Sequence, residues 1–336
     1  FLMIANSIAP NKEAIIFEDK RLTYSDLNSR ANRLGNALAA WGVGRGDRVG
    51  MMQVNTNEVV ETYFASAKIG AIFVPLSFRG RAEEIRHMVN ASECKVVLAG
   101  SRYLGLVDEL RPSLDTVEHF VSLEGTGDGW EEFESVLAGA PDDEIFTEVD
   151  DEDTTILMFT AGTTGLPKGV MLTYDSVGSY SLNNVTPLDE DEIEKNILTV
   201  PLYHVAGMQA VVSAIFGGRT LVVQRQFDPA GWMQLVQDEK VSRAMMVPTM
   251  LKLLLEHPDR SKYDISSLET LTYGAAPMPK EVIKRAITEL PETRFINAFG
   301  QTEASATITA LMPEDHVLEG TPEEIDVKLN RLSSIG

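Results

Sequence analysis

The sequence predicts an α/β protein made of layered, mostly parallel sheets, and three observations carry that reading. Short apolar runs of strand length alternate with amphipathic runs of helix length along most of the chain, the pattern of strand–helix–strand units. Several helices announce their starts with a capping residue. Four clusters of unusual composition each follow directly on an expected strand, which is where open α/β sheets gather their ligands.

Taken in order, "AIIFEDKRLTY" reads as a hairpin turning at Asp19 and Lys20, and Ser25 then caps a helix with Leu27, Ala31, Leu34 and Leu38 on one face. "DRVGMMQV" is a strand, Asn55 opens a helix, "AIFVPL" is a strand, "GRAEEIRHMVNAS" a helix and "CKVVLAG" a strand. Residues 142–153, "DDEIFTEVDDED", hold eight carboxylates and no base, and read as a solvated linker between a first α/β part (1–141) and a second (154–310). The alternation then resumes: strand "TTILMF", a helix after Thr173, strand "NILTV", helix "VAGMQAVVSAIF" and strand "TLVVQ". Asp228 and Pro229 start a helix at N-cap and N1. "RAMMV" is a strand, Thr249 caps "MLKLLLEH", "LETLTY" is a strand, "PKEVIKRAITEL" a helix and "RFINAF" a strand, with residues 311–336 beginning a further subdomain.

Composition narrows the function. The 336 residues carry a net charge of −21, which argues against a nucleic-acid partner or an anionic membrane surface, since both call for a basic face. No apolar run approaches the roughly 18 residues of a membrane span, and no signal peptide is visible. A single cysteine, Cys94, excludes an intrachain disulfide and a cysteine-based zinc cluster, and fits a reducing, cytoplasmic setting. It reads as a small half-buried residue beside a strand. The chain starts at Phe1 rather than Met and stops at "RLSSIG" with no domain evidently closed, so a piece of a longer protein is expected. "GVGRGDRVG" is glycine-rich but precedes a strand and lacks dinucleotide spacing; no H-E-x-x-H, G-x-S-x-G or C-x-x-C occurs.

The stretch "FTAGTTGLPKGVML" draws the most attention. A Walker A loop places its lysine directly after the second glycine; here Leu166 and Pro167 separate Gly165 from Lys168, so that motif is absent. The composition still suits an anion. Gly162 and Gly165 let backbone amides approach, Thr160, Thr163 and Thr164 offer hydroxyls, and Lys168 adds a point charge. The other three clusters are "PLYHVAG" after Val200, "YGAAP" after Thr272 and "NAFGQTE" after Ile296. If the four strands are parallel neighbours, all four loops open on one crevice, bringing together a phosphate loop, the Glu303 carboxylate and the His204 imidazole. Singly, each has a plainer reading: Glu303 as a helix start, His204 as a partly buried structural histidine, Phe299 as core. His87, His119, His257 and His316 read as surface or structural residues.

Those four blocks, in that order, resemble the adenylate-forming superfamily over almost the whole chain, and within it the fatty-acyl and aryl-acyl CoA ligases. "TAGTTGLPKGV" is similar to the family's phosphate-loop signature and "NAFGQTE" to its aromatic-G-x-T-E signature; Ala161 stands for the more usual serine and Phe299 for a frequent tyrosine. The resemblance implies the fold of the large N-terminal domain, with two parallel-sheet subdomains, an incomplete third β subdomain and the small C-terminal domain absent. It implies activation of a carboxylic acid by ATP to an acyl-adenylate with loss of pyrophosphate, then transfer to coenzyme A. By the same resemblance, Thr160, Thr163, Thr164 and Lys168 hold the β- and γ-phosphates, with Gly162 and Gly165 shaping the loop. Glu303 binds Mg²⁺ and Thr302 contacts the α-phosphate. Gly274, Ala275, Ala276 and Pro277 line the adenine slot, Phe299 lies on the base's face and Asn297 near its edge, and Ala298, Gly300 and Gln301 belong to the same nucleotide-binding block. His204 sits between the acyl tunnel and the reacting carboxylate, as gate or orienter, and Val205, Gly207, Met208, Val247, Tyr273 and Gly274 line the acyl pocket. After His204 stands "VAGM", with no carboxylate to pair an α-ammonium, so an apolar acid is favoured over an amino acid. Expected partners are the acid and coenzyme A, with a homodimer admitted; transfer to a carrier protein, or a non-catalytic nucleotide- or acyl-binding module, are the other readings.

Overall fold

The structure, a computed structural model, describes residues 1–125, 127–160, 165–189, 193–305 and 307–335. Among the described residues the chain forms two sheets. The larger has eight strands in the order Thr307–Leu311, Arg294–Gly300, Thr270–Gly274, Arg243–Met246, Lys195–Leu198, Thr220–Val223, Glu13–Phe17, Lys20–Thr23. All its pairs are parallel except the two at its edges. The smaller has seven, in the order Glu131–Glu132, His119–Ser122, Cys94–Ala99, Arg48–Met52, Ile72–Pro75, Thr154–Thr160, Lys168–Thr173, antiparallel only at the last pair.

Side-chain alternation along the strands explains the layering. Ile15, Leu198, Leu221 and Val223 of the larger sheet share one core with Val49, Met51, Phe73, Val96 and Ile156 of the smaller. Their neighbours Ile16, Ile197 and Val222, and Met52, Val74 and Val97, point to two outer cores. Each sheet therefore buries both faces, as parallel sheets do. Helices Tyr24–Ala40, Asn57–Lys68 and Val205–Phe216 lie between the sheets: Leu27, Ala31, Leu34 and Leu38 all reach the shared core, as the sequence pattern requires. Helices Pro229–Glu239, Pro248–Leu255 and Lys280–Glu289 cover the larger sheet outside, and Ala82–Ala91 the smaller.

Several boundaries shift for local reasons. Phe17 pairs with Lys20, so the first hairpin turns at Glu18 and Asp19, with Glu18 at φ 53°. Thr23, not Ser25, caps the following helix, in a capping box with Asp26. Pro248 begins the helix attributed to Thr249, as suits a residue without an N–H at N1. Asn55 precedes helix Asn57–Lys68 by two positions, which frees its side chain. Cys94 is fully buried in its strand, where burial pushes the thiol up to about 11. The acidic segment is laid down rather than free. Glu144 accepts hydrogen bonds from Asn28 (2.9 Å) and Asn32 (3.1 Å) and pairs with Lys68, while Arg45 holds Asp150 and Asp153. Nor do the sheets part there. Strands Thr154–Thr160 and Lys168–Thr173 complete the sheet of the first 141 residues, and Glu13–Thr23 completes the other.

Candidate active site

The four clusters do not follow neighbouring parallel strands of one sheet; they are divided between the two sheets. Strands Lys195–Leu198, Thr270–Gly274 and Arg294–Gly300 run parallel in the larger sheet, with Arg243–Met246 inserted between the first two. The glycine-rich stretch belongs to the smaller sheet. It joins Thr154–Thr160 to an antiparallel return strand, Lys168–Thr173, with Thr160 opposite Lys168 and Phe159 opposite Gly169. That return strand packs against the turn Thr302–Ala304, so the two signatures meet across the gap between the sheets.

On the hairpin, Thr160 donates to the Lys168 carbonyl at 3.5 Å. Lys168 and Gly165 are exposed, and no carboxylate among the described residues pairs with Lys168. Gly162, Thr163 and Thr164 lie outside the described residues. Opposite, Glu303 is exposed and also free of an ion pair among the described residues; Thr302 beside it is half-buried. An unpaired carboxylate on a turn that packs against the strand bearing an unpaired ammonium suits a cation carried in by phosphates. Among the described residues no cluster of three or more ligating side chains exists that could hold a metal unaided.

The "YGAAP" segment is shaped by one close approach. A Cβ on Gly274 would stand 2.0 Å from the carbonyl oxygen of Ala298, its partner across the ladder, so no other residue fits without moving backbone. Ala275 then takes a left-handed φ of 64°, and Ala275, Ala276 and Pro277 form an exposed shelf at the strand's end. Asn297, Ala298 and Phe299 are half-buried along the neighbouring strand; Gly300 and Gln301 are exposed where it leaves the sheet.

His204 sits at the N-cap of helix Val205–Phe216. Its ring packs on Tyr203 (4.2 Å), which stands edge-on to Phe78 (5.0 Å). Crowding by protein on one face, and then the Arg79 charge, hold the imidazole below the ordinary histidine range although its rim meets solvent. It is therefore neutral at pH 7.

The expected acyl-pocket residues do not gather. Val205 and Val247 are half-buried. Met208 is buried in the core between the sheets, whereas Tyr273 is buried in the core on the opposite face of the larger sheet, donating its hydroxyl to His316 Nε2 at 2.9 Å. Gly207 is small for packing: a Cβ there would meet the Pro201 carbonyl oxygen at 2.6 Å.

Two residues whose contacts sequence reasoning passed over hold this site in place. Asn55, 1% exposed, reaches from the smaller sheet to the segment bearing His204. Its Nδ2 donates to the Val200 carbonyl (3.1 Å) and its Oδ1 accepts from the Leu202 N–H (3.0 Å). His87 bonds the Pro167 carbonyl beside Lys168. The one available signal for Asn55 was a polar run, "QVNTNE", after an apolar strand; for His87 there was none.

This chain belongs to the AMP-binding enzyme family, which matches residues 5–330. Similar proteins include the long-chain-fatty-acid–CoA ligase FadD13 of Mycobacterium tuberculosis, 30% identical over 314 residues, covering 92% of this chain and 61% of that protein. The feruloyl-CoA synthase of an Amycolatopsis species is 32% identical over 317 residues, covering 93% and 60%. The inhibitor-bound N-terminal domain of FACL13 from M. tuberculosis shares the fold, with a TM-score of 0.85 at 29% identity, covering 94% of this chain and 78% of that chain. The chain thus spans about three-fifths of the length of the curated relatives it matches. No helix among the described residues is long and apolar enough to cross a membrane.

Proposed function

We propose that this chain carries the nucleotide and acid sites of an ATP-dependent acid–thiol ligase acting on an apolar carboxylic acid. One observation carries the reading: the hairpin that presents Lys168 packs against the turn that presents Glu303, each group without a counter-charge among the described residues. ATP·Mg²⁺ supplies both missing partners. In the first step an oxygen of the substrate carboxylate attacks the α-phosphorus, the bond to the bridging oxygen breaks, and pyrophosphate leaves. In the second, the sulfur of coenzyme A attacks the acyl carbonyl and AMP departs. No enzyme nucleophile is needed, in keeping with a sole cysteine that is buried and protonated.

Catalysis then rests on positioning and charge. Lys168 and Thr160, with Thr163 and Thr164, take the β- and γ-phosphates, and Thr302 the α-phosphate. Glu303 would hold Mg²⁺, which would supply positive charge beside the phosphates. Adenine lies on the Gly274–Pro277 shelf with Asn297 and Phe299 at its side. Neutral His204 donates to the reacting carboxylate without the tight ion pair that would dull its attack. FadD13 and feruloyl-CoA synthase are named for a long-chain fatty acid and an aryl acid, and we infer the same apolar class here. Use of ATP and a reduced thiol fits the cytoplasm.

The test is pyrophosphate release by the full-length enzyme with ATP·Mg²⁺ and acetate, octanoate, palmitate, benzoate or alanine, with and without coenzyme A. Release confined to apolar acids, with AMP and thioester appearing on addition of coenzyme A, is the expected result. Release with alanine alone, or with none, would overturn it.

A further inference from the structure

The reaction above leaves one side chain at the glycine-rich hairpin without a part. His87 projects from helix Ala82–Ala91, whose Ile85, Met88 and Val89 are buried in the outer core of the smaller sheet, with Leu157 and Phe159 packed on the same cluster. Its Nε2 lies 2.9 Å from the carbonyl oxygen of Pro167. A carbonyl only accepts, so Nε2 carries the hydrogen. The same ring stands edge-on to Phe159, 6.4 Å between centroids at 74°.

Phe159 and Pro167 are the residues immediately before Thr160 and Lys168, which face each other across the hairpin. One imidazole therefore touches both stems of the hairpin just where its two candidate phosphate groups begin. Among the described residues no other side chain from outside the hairpin bonds residues 165–169. The helix behind His87 is anchored by its buried face, whereas Lys168 is exposed. The direction of support is from His87 to Lys168.

We propose that His87 is a positioning residue for the phosphate side of the reaction, fixing the Pro167 carbonyl and through it the reach of the Lys168 ammonium. This rests on reading the hairpin as the nucleotide site. His87→Leu removes the donor and keeps apolar contact with Phe159; His87→Gln keeps an N–H at about the reach of Nε2. A neutral hydrogen bond of about 0.5–1.5 kcal/mol corresponds to roughly two- to tenfold.

In pyrophosphate release by the full-length enzyme, H87L is expected to raise the KM for ATP·Mg²⁺ about three- to tenfold. The KM for the acid should stay unchanged, and H87Q should lie within about twofold of the parent. An unaltered KM for ATP in H87L, a parallel loss toward acid and ATP that tracks a lower melting temperature, or no rescue by H87Q would overturn the assignment. Should the parent release no pyrophosphate with any acid, the ligase reading fails. The role of His87 is then decided by calorimetric titration with ATP·Mg²⁺: weaker binding by H87L than by the parent supports it, and equal or absent binding by both removes it.

Discussion

The segment bearing His204 and the hairpin bearing Lys168, which the proposed function assigns to one site, are held in different ways. Around His204, Asn55 grips the backbone at Val200 and Leu202, and Gly207 lets the next helix close down on Pro201. Lys168 stands at the end of the Thr154–Thr160/Lys168–Thr173 ladder, where His87 supplies the one side-chain bond from outside the hairpin among the described residues, to Pro167, and Gly165, Leu166 and Lys168 are exposed. On the proposed reading, the acid side is preset by the buried side-chain amide of Asn55, whereas the phosphate side presents an exposed charge at the end of a strand ladder. A triphosphate brings its own charge and metal and tolerates adjustment by its binding groups. A neutral imidazole orienting a carboxylate has only geometry to offer.

Four changes test this contrast, from the largest effect to the smallest. Asn55→Ala strands a buried N–H and a buried carbonyl, and should cost about 2–5 kcal/mol of stability in denaturant titration. A loss under about 1 kcal/mol would show that the grip is ornamental. Lys168→Ala should do the converse. Stability is expected within about 0.5 kcal/mol of the parent, while adenylation slows about tenfold or more, as suits a charge-assisted contact of about 1.5–3 kcal/mol. An unchanged rate would demote the hairpin to a bystander.

The third concerns pH. Behind the "YGAAP" strand, Tyr273 is latched to His316, whose Nδ1–H is given to the Met312 carbonyl at 2.8 Å. Burial holds His316 below its ordinary value of 6.5. The unfolded chain thus binds more protons than the folded one between the two values, and stability is lost as pH falls through 6.5. His204, lowered in the same direction, adds to the slope. His316→Gln should flatten the profile between pH 7 and 5.5; an unchanged slope would mean the latch does not titrate. Last, Ala275→Gly relieves a left-handed alanine and should raise stability by less than about 1 kcal/mol. A clear loss would mean that the methyl group packs productively.

Local chemistry was legible in the sequence. Asp228 and Pro229 stand at N-cap and N1, and the helix after His204 spans Val205–Phe216, because caps and small-residue runs act within a few residues. Pairing across distance was not. Nothing within "TTILMF" tells which sheet it will join, and the strand Lys168–Thr173 was hidden because its glycine and neighbouring proline are turn-like in composition. Tyr273 was assigned to the pocket by the family resemblance, whereas its side chain is buried in the core on the outer face of the larger sheet. Asn55 and His87 were named, as a helix start and a surface or structural histidine, but their contacts escaped notice for a different reason. Both bond backbone groups, which every residue has, so the partner leaves no mark on the sequence.

The exchange of strands between the sheets has a practical corollary for anyone who would divide this protein. A cut within residues 142–153 looks natural on paper, yet each fragment would carry off two strands belonging to the other's sheet. Neither piece would have a complete hydrophobic interior alone, and the two together would have every strand they need. The acidic segment is thus a place to break the chain for complementation, with the fragments folding only in each other's company, rather than a seam along which modules can be traded.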